Sequence, residues 1–92
     1  MSAINVINVK RVHTNGTVVQ MVIWQLDEPV SGSSHHFKYR LYCGRDGECF
    51  VRYDNERGKG DHRHVGDVES TYGFQGLERL LMDFREDIGR YL

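Results

Sequence analysis

Residues 53–64, Tyr-Asp-Asn-Glu-Arg-Gly-Lys-Gly-Asp-His-Arg-His, concentrate the side chains of this chain that could do chemistry. The carboxylates Asp54, Glu56 and Asp61, the imidazoles of His62 and His64, the amide of Asn55 and the cations Arg57, Lys59 and Arg63 all fall within that run. Those residue types suit metal-independent cleavage of RNA through its own 2′-hydroxyl. The reaction needs a base for the 2′-OH proton, an acid for the leaving 5′-oxygen and cations around the phosphorane. Histidine titrates near neutrality and can take either proton-transfer role, so His62 and His64 are the acid/base candidates. Asp54 and Asp61 are carboxylates that could orient a ring by accepting its second N–H, and Lys59 and Arg63 supply positive charge. Gly58 and Gly60 flank Lys59, where the backbone can turn through positive φ and cradle a phosphate. Tyr53 offers a ring for base stacking, and Asn55 a polar contact to substrate.

Two other chemistries compete for the same residues. His62 and His64, two apart on a strand, share one face and could bind a metal ion with Asp61 or Asp54. A closed zinc site needs about four ligands and a catalytic one about three, however, and Lys59 and Arg63 would oppose a bound cation. No C-x-x-C or H-E-x-x-H pattern is present, so neither a metal nor any other cofactor is expected. The bland alternative is a charged glycine-containing turn between two strands, where β-proteins ordinarily place such residues. His13, His35 and His36 lie at strand ends and read as surface decoration, and Trp24 at a strand centre reads as core.

The flanking sequence must position this stretch. Residues 4–13 and 17–26 read as two strands joined at Asn15-Gly16, a strong hairpin signal. A two-residue loop there sets Ile7 against Trp24, Val9 against Val22 and Val12 against Val19. The resulting ribbon is apolar on both faces, which hints at a homodimer or a partner protein. Residues 27–34 form a loop with the sole proline, Pro29. Residues 35–43 and 48–55 read as a second hairpin about Asp46-Gly47. Its uninterrupted register puts Phe37, Tyr39, Leu41, Cys43 and Phe50 on one face, with Arg52 and Asp54 further along it. Lys38, Arg40, Tyr42, Val51, Tyr53 and Asn55 take the other face. A fifth strand covers residues 62–68, and residues 69–75 connect it to a helix over about 77–91. In that helix Leu77, Leu80, Leu81, Phe84, Ile88 and Tyr91 form an apolar stripe. Arg79–Asp83 and Glu86–Arg90 are i,i+4 pairs worth only ~0.2–0.5 kcal/mol each. The sum is an α+β domain spanning residues 1–92: a mainly antiparallel sheet of about five strands, built from hairpins and packed on one C-terminal helix.

Composition narrows the class further. With 39% hydrophobic and 27% charged residues, the chain has an ordinary globular balance. A formal net charge of −1 supplies no bulk attraction to nucleic acid or to an anionic membrane, so any such binding needs a local patch. The longest apolar run, Met21-Val22-Ile23-Trp24, is far short of a membrane span, and no secretory signal is visible. A cytoplasmic location follows as an expectation. Cys43 and Cys49 would point to opposite faces of the second hairpin and are expected as free packing thiols.

One resemblance adds to this reading. The runs Tyr53-Asp54-Asn55 and Gly58-Lys59-Gly60-Asp61-His62-Arg63-His64, followed by Tyr72-x-Phe74 and Leu80-Leu81-x-Asp83-Phe84, resemble the TumE-type toxins of prokaryotic toxin–antitoxin pairs. The similarity covers the C-terminal half well and the N-terminal hairpin only as a pattern of strands. It implies a growth-inhibiting protein neutralised by a helix-turn-helix antitoxin encoded beside it; RNA as the expected target is an inference from that class together with the residue types above. Gly76 departs from the pattern, in which a serine-like cap would precede the helix. A reading of another class stands beside this one: a non-catalytic module that binds a protein or nucleic acid through Lys38, Arg40 and Arg52.

Overall fold

Six antiparallel strands in sequential order form a single meander, and one C-terminal helix lies across one face. This computed structural model describes residues 2–92. The strands are β1 (Ala3–Val12), β2 (Val18–Leu26), β3 (Phe37–Arg45), β4 (Glu48–Asp54), β5 (His62–Val65) and β6 (Val68–Thr71). Helix α1 (Leu77–Ile88) runs into a 3₁₀ turn at Gly89–Tyr91. The fold is α+β, and the stretch expected as one strand over residues 62–68 divides at Gly66 into the two short strands β5 and β6.

The core lies between α1 and the face of the sheet that carries Ile23, Tyr39, Leu41, Cys43, Val51 and Tyr53. Leu80, Phe84 and Ile88, spaced to share one side of the helix, complete it, and Phe84 meets Tyr53 edge-on at 5.9 Å. Tyr91 stacks on Phe50 at 4.6 Å, so the apolar stripe continues past the last α-helical turn. Among the described residues no helix covers the opposite face of the sheet.

Two registers depart from the simplest pairing, and both matter for function. The first hairpin closes with His13 N–H bonded to Thr17 O (2.8 Å) and Gly16 N–H to His13 O (2.9 Å). Asn15 Oδ1 accepts the Thr17 N–H at 2.9 Å, and Gly16 has φ 86°. This is a three-residue loop with a left-handed glycine, not a two-residue turn. Val12 therefore faces Val18, Val9 faces Met21 and Ile7 faces Ile23, one residue away from the expected register. Val19 and Ile23 turn into the core, and Trp24 goes to the open face at 38% exposure.

The second hairpin has the expected two-residue turn, with Asp46 (φ 53°) and Gly47 (φ 80°) both left-handed. Gly44 faces Cys49 as expected, but the next pair is Cys43 with Val51. Phe50 is the extra residue of a β-bulge, which inverts the remainder of β4. Val51, Tyr53 and Asn55 are buried on the helix side, whereas Arg52 and Asp54 join Lys38, Arg40 and Tyr42 on the open face. Both cysteines are free, and burial pushes both thiols above the ordinary range. They pack; they do not present nucleophiles.

Gly76 explains its own departure from a serine-like cap. Its backbone sits at φ 103°, ψ 164°, a region essentially confined to glycine, and Leu80 N–H bonds its carbonyl at 3.1 Å. Gly76→Ser should destabilise the fold by about 1–3 kcal/mol despite the better capping side chain. A urea titration of the two chains checks this; a stabilised serine variant would show that the strain is absent.

Candidate functional site on the open sheet face

The bulge in β4 brings together groups that lie far apart in sequence. Across the open face Val22 faces Arg40, Arg40 faces Asp54, and Asp54 faces His62. In the adjacent row Gln20 faces Tyr42, Tyr42 faces Arg52, Arg52 faces His64, and His64 faces Glu69. Directly opposed residues have Cβ atoms roughly 4.5–5.5 Å apart, so each row is a line of side chains in mutual reach. Arg52 Nε holds Asp54 Oδ2 at 3.0 Å. Asp54 is nearly buried although, among the described residues, its face has no helix; it lies between Arg40 and His62 and is bound by Arg52. His62 and His64 are half-buried, and His64 Nδ1 is buried without a hydrogen-bond partner.

The remaining expected site residues are engaged elsewhere. Asn55 is 1% exposed; its side chain accepts the Tyr39 N–H at 3.0 Å and donates to Phe37 O at 2.6 Å. Beyond the end of β4, its amide thus replaces a peptide unit and satisfies the first residues of β3. Tyr53 and Arg63 point toward the helix. Arg63 donates from Nε to Asp87 Oδ2 (2.8 Å) and from Nη2 to Asp87 Oδ1 (2.7 Å), and the Tyr53 hydroxyl donates to the same carboxylate. The hydrogen bond to Asp87 holds the Arg63 guanidinium above its ordinary range, and burial, reinforced by Asp87, pushes the Tyr53 hydroxyl up. Burial pushes the Asp87 carboxyl upward, but the bonds from Arg63 and Tyr53 outweigh it and leave Asp87 below its ordinary value.

Asp61 builds a separate polar cluster at the end of the sheet. It accepts the Tyr39 hydroxyl at 2.6 Å, His35 Nε2 at 2.7 Å and Ser33 Oγ at 3.4 Å. His35 Nδ1 accepts the Phe37 N–H at 3.1 Å, which places the ring proton on Nε2, facing Asp61. Phe74 stacks on that imidazole at 3.7 Å. His35 is therefore an anchor for the loop before β3, not surface decoration. Burial, with Asp61 close by, pushes the Tyr39 hydroxyl upward. Gly58 N–H is taken by Ser31 O at 2.6 Å and Lys59 N–H by Glu56 O at 3.1 Å, so these two amides are already committed within the protein. Lys59 itself is exposed at the tip of the loop.

Two concavities border these groups. The larger, about 340 Å³, lies between β6 and α1, and four of its five charged side chains pair with one another, Arg63 with Asp87 and Arg79 with Asp83 at 3.3 Å, leaving Glu86 outside the pairs. Tyr72 also donates to Asp83, at 2.5 Å. That cavity is the seam that docks the helix. The other, about 270 Å³, opens on the histidine face between Trp24, Lys38, Arg40 and Asp54. Among the described residues no group of three or more His, Cys, Asp or Glu is arranged to hold a metal ion.

Arg40 and Arg52, which entered the sequence reading only as a binding stripe of the non-catalytic alternative, and Trp24, which read as core, are the members of this face outside the expected catalytic set. The signal that could have found them is the alternation of β2, β3 and β4, once the loop and the bulge are set correctly. A small meander with one docking helix and a His/Asp/Arg face is thus the class of protein the geometry defines. The family model described as toxin TumE matches residues 3–92, nearly the whole chain, and the protein belongs to that toxin family. Comparison with curated proteins and with solved structures finds no match. Among the described residues no helix is long and apolar enough to cross a membrane.

Proposed function

We propose that this chain is the toxin of a toxin–antitoxin pair and acts by cleaving RNA on the open face of its sheet. The observation that carries the reading is the cross-strand register, which sets Asp54 against His62, Arg52 against His64, and Arg40 against Asp54 on a face without a helix. In this mechanism one histidine takes the 2′-hydroxyl proton as O2′ attacks phosphorus. The other protonates the departing 5′-oxygen, leaving a 2′,3′-cyclic phosphate and a 5′-hydroxyl. Arg40 and Arg52 stabilise the charge that develops on the phosphorane oxygens, and Asp54 orients His62 from across the strand pair. Asp61, Arg63, Tyr53 and Asn55 support the fold that holds this face in place. Lys59, on the exposed loop, serves long-range attraction of the RNA backbone.

The expected protein partner is an antitoxin of the helix-turn-helix kind. Ile4, Val6 and Val12 on edge strand β1 are exposed apolar residues that support a protein contact, with the antitoxin or with a second copy. They also favour the second reading, a non-catalytic interaction module. Induction of the wild-type chain in a heterologous host, with total RNA run from the culture, separates the two. Growth arrest with fragmented RNA is expected; arrest with intact RNA would keep the toxin and remove the nuclease.

A further inference from the structure

The concavity on the open face is built differently from the proton-transfer groups beside it. Trp24 forms one wall, 38% exposed, with Val22 next to it along the face. Lys38 and Arg40 stand on the neighbouring strand, with Lys38 directly opposite Trp24. Asp54 and Glu56 also line it, and Asp54 faces His62 across β4 and β5. At about 270 Å³ the space admits one flat heterocycle lying on the indole. Base–aromatic stacking is the usual way a protein holds an unpaired base, and surface-exposed indoles provide it without sequence preference. Selectivity has to come from the polar rim.

The two carboxylates of that rim are not equivalent. Asp54 is held by Arg52 at 3.0 Å, whereas Glu56 has no side-chain hydrogen bond or ion pair among the described residues. A carboxylate with both oxygens free accepts two parallel N–H groups. Among the four RNA bases, only guanine presents two adjacent N–H donors on its Watson–Crick edge, N1–H and N2–H, next to an acceptor, O6. Uracil places carbonyl oxygens on both sides of its single N–H, which a carboxylate repels. Lys38 supplies a donor for O6. We infer that this concavity is a guanine-selective base subsite, in which Trp24 stacks the base and Glu56 reads its Watson–Crick edge. The inference rests on RNA being the substrate of the neighbouring histidines and names the nucleotide beside which they act.

Trp24 is the sole tryptophan, so its fluorescence reports on this subsite alone. The full chain is titrated with guanosine, adenosine, cytidine and uridine 3′-monophosphates while the emission is followed. Saturable quenching by the guanosine nucleotide is expected at about tenfold lower concentration or better than for the other three. Glu56→Gln should keep the quenching and bring the four nucleotides to within about threefold of one another, because the amide can no longer accept two N–H groups. Equal binding of all four by the wild type, preference for another base, or no saturable quenching would each overturn the assignment. In a His62→Ala/His64→Ala chain the guanine preference should persist. Cleavage unaffected by that double change, with the preference intact, would remove the histidine mechanism and leave the subsite standing. Loss of the preference in a folded double variant would count against the subsite itself.

Discussion

A chain with alanine at both His62 and His64 is expected to lose RNA cleavage by roughly 10,000-fold while keeping its fold. Each positioned proton transfer contributes roughly 100- to 10,000-fold, and losses of groups acting in one step do not multiply fully. The fold should tolerate the change for a specific reason. Both rings lie on the open face, away from the core formed by Ile23, Leu41, Tyr53, Leu80 and Phe84. His64 Nδ1 has no partner to be orphaned when the ring is removed. Circular dichroism and a denaturation curve should overlay the wild type within about 1 kcal/mol. Rates measured on a short labelled RNA then give the result directly, and cleavage by the folded double variant within tenfold of wild type would remove both histidines from the chemistry. The arginines sharpen the test. Arg40→Ala and Arg52→Ala should lower the rate with little change in stability, whereas Arg63→Ala should do the opposite, because Arg63 is bound to Asp87 on the other face.

How much of this was legible in the sequence divides along physical lines. The helix was, because Leu80, Phe84 and Ile88 repeat at helical spacing and that spacing survives any error in the strands. So were the two hairpins about Asn15-Gly16 and Asp46-Gly47, although the order in which they and the later strands join one sheet was not. The faces were not. A strand repeats every two residues, so one extra residue reverses every assignment after it. The longer first loop and the bulge at Phe50 are such residues, and neither changes the composition of its segment. Hence Asp54 was expected beside the core and Tyr53 on the basic stripe, and the structure exchanges them. The clustering of polar residues in 53–64 was visible, but not its division into three jobs. Asp61 and Asn55 hold the loop and strand ends, Tyr53 and Arg63 hold the helix, and Asp54, His62 and His64 face outward. Those assignments depend on His35, Asp87 and Arg40, none of which is near in sequence.

Asp87 provides the largest expected effect on stability. Its carboxylate accepts two bonds from Arg63 and one from Tyr53, a fully buried residue, and is the main polar link between α1 and the sheet. Asp87→Asn keeps the shape but removes the charge, leaving Arg63 with a weaker acceptor in a partly buried position. Breaking a buried ion pair by neutralising one partner costs about 3–5 kcal/mol; with Arg63 still 40% exposed, about 2–3 kcal/mol is expected at neutral pH. That is a large share of a total of about 5–15 kcal/mol. The pH dependence identifies the cause. Asp87 is depressed below its ordinary 3.8, so the unfolded chain binds the proton more tightly than the folded one. Its contribution is therefore complete above that value and is lost as pH falls through it toward the lower folded value. The wild-type and Asp87→Asn stability curves, from urea titrations between neutral pH and about pH 2.5, should stay apart at neutral pH and converge in acid. A constant gap across the whole range would mean that packing, not the charge on Asp87, holds the helix to the sheet.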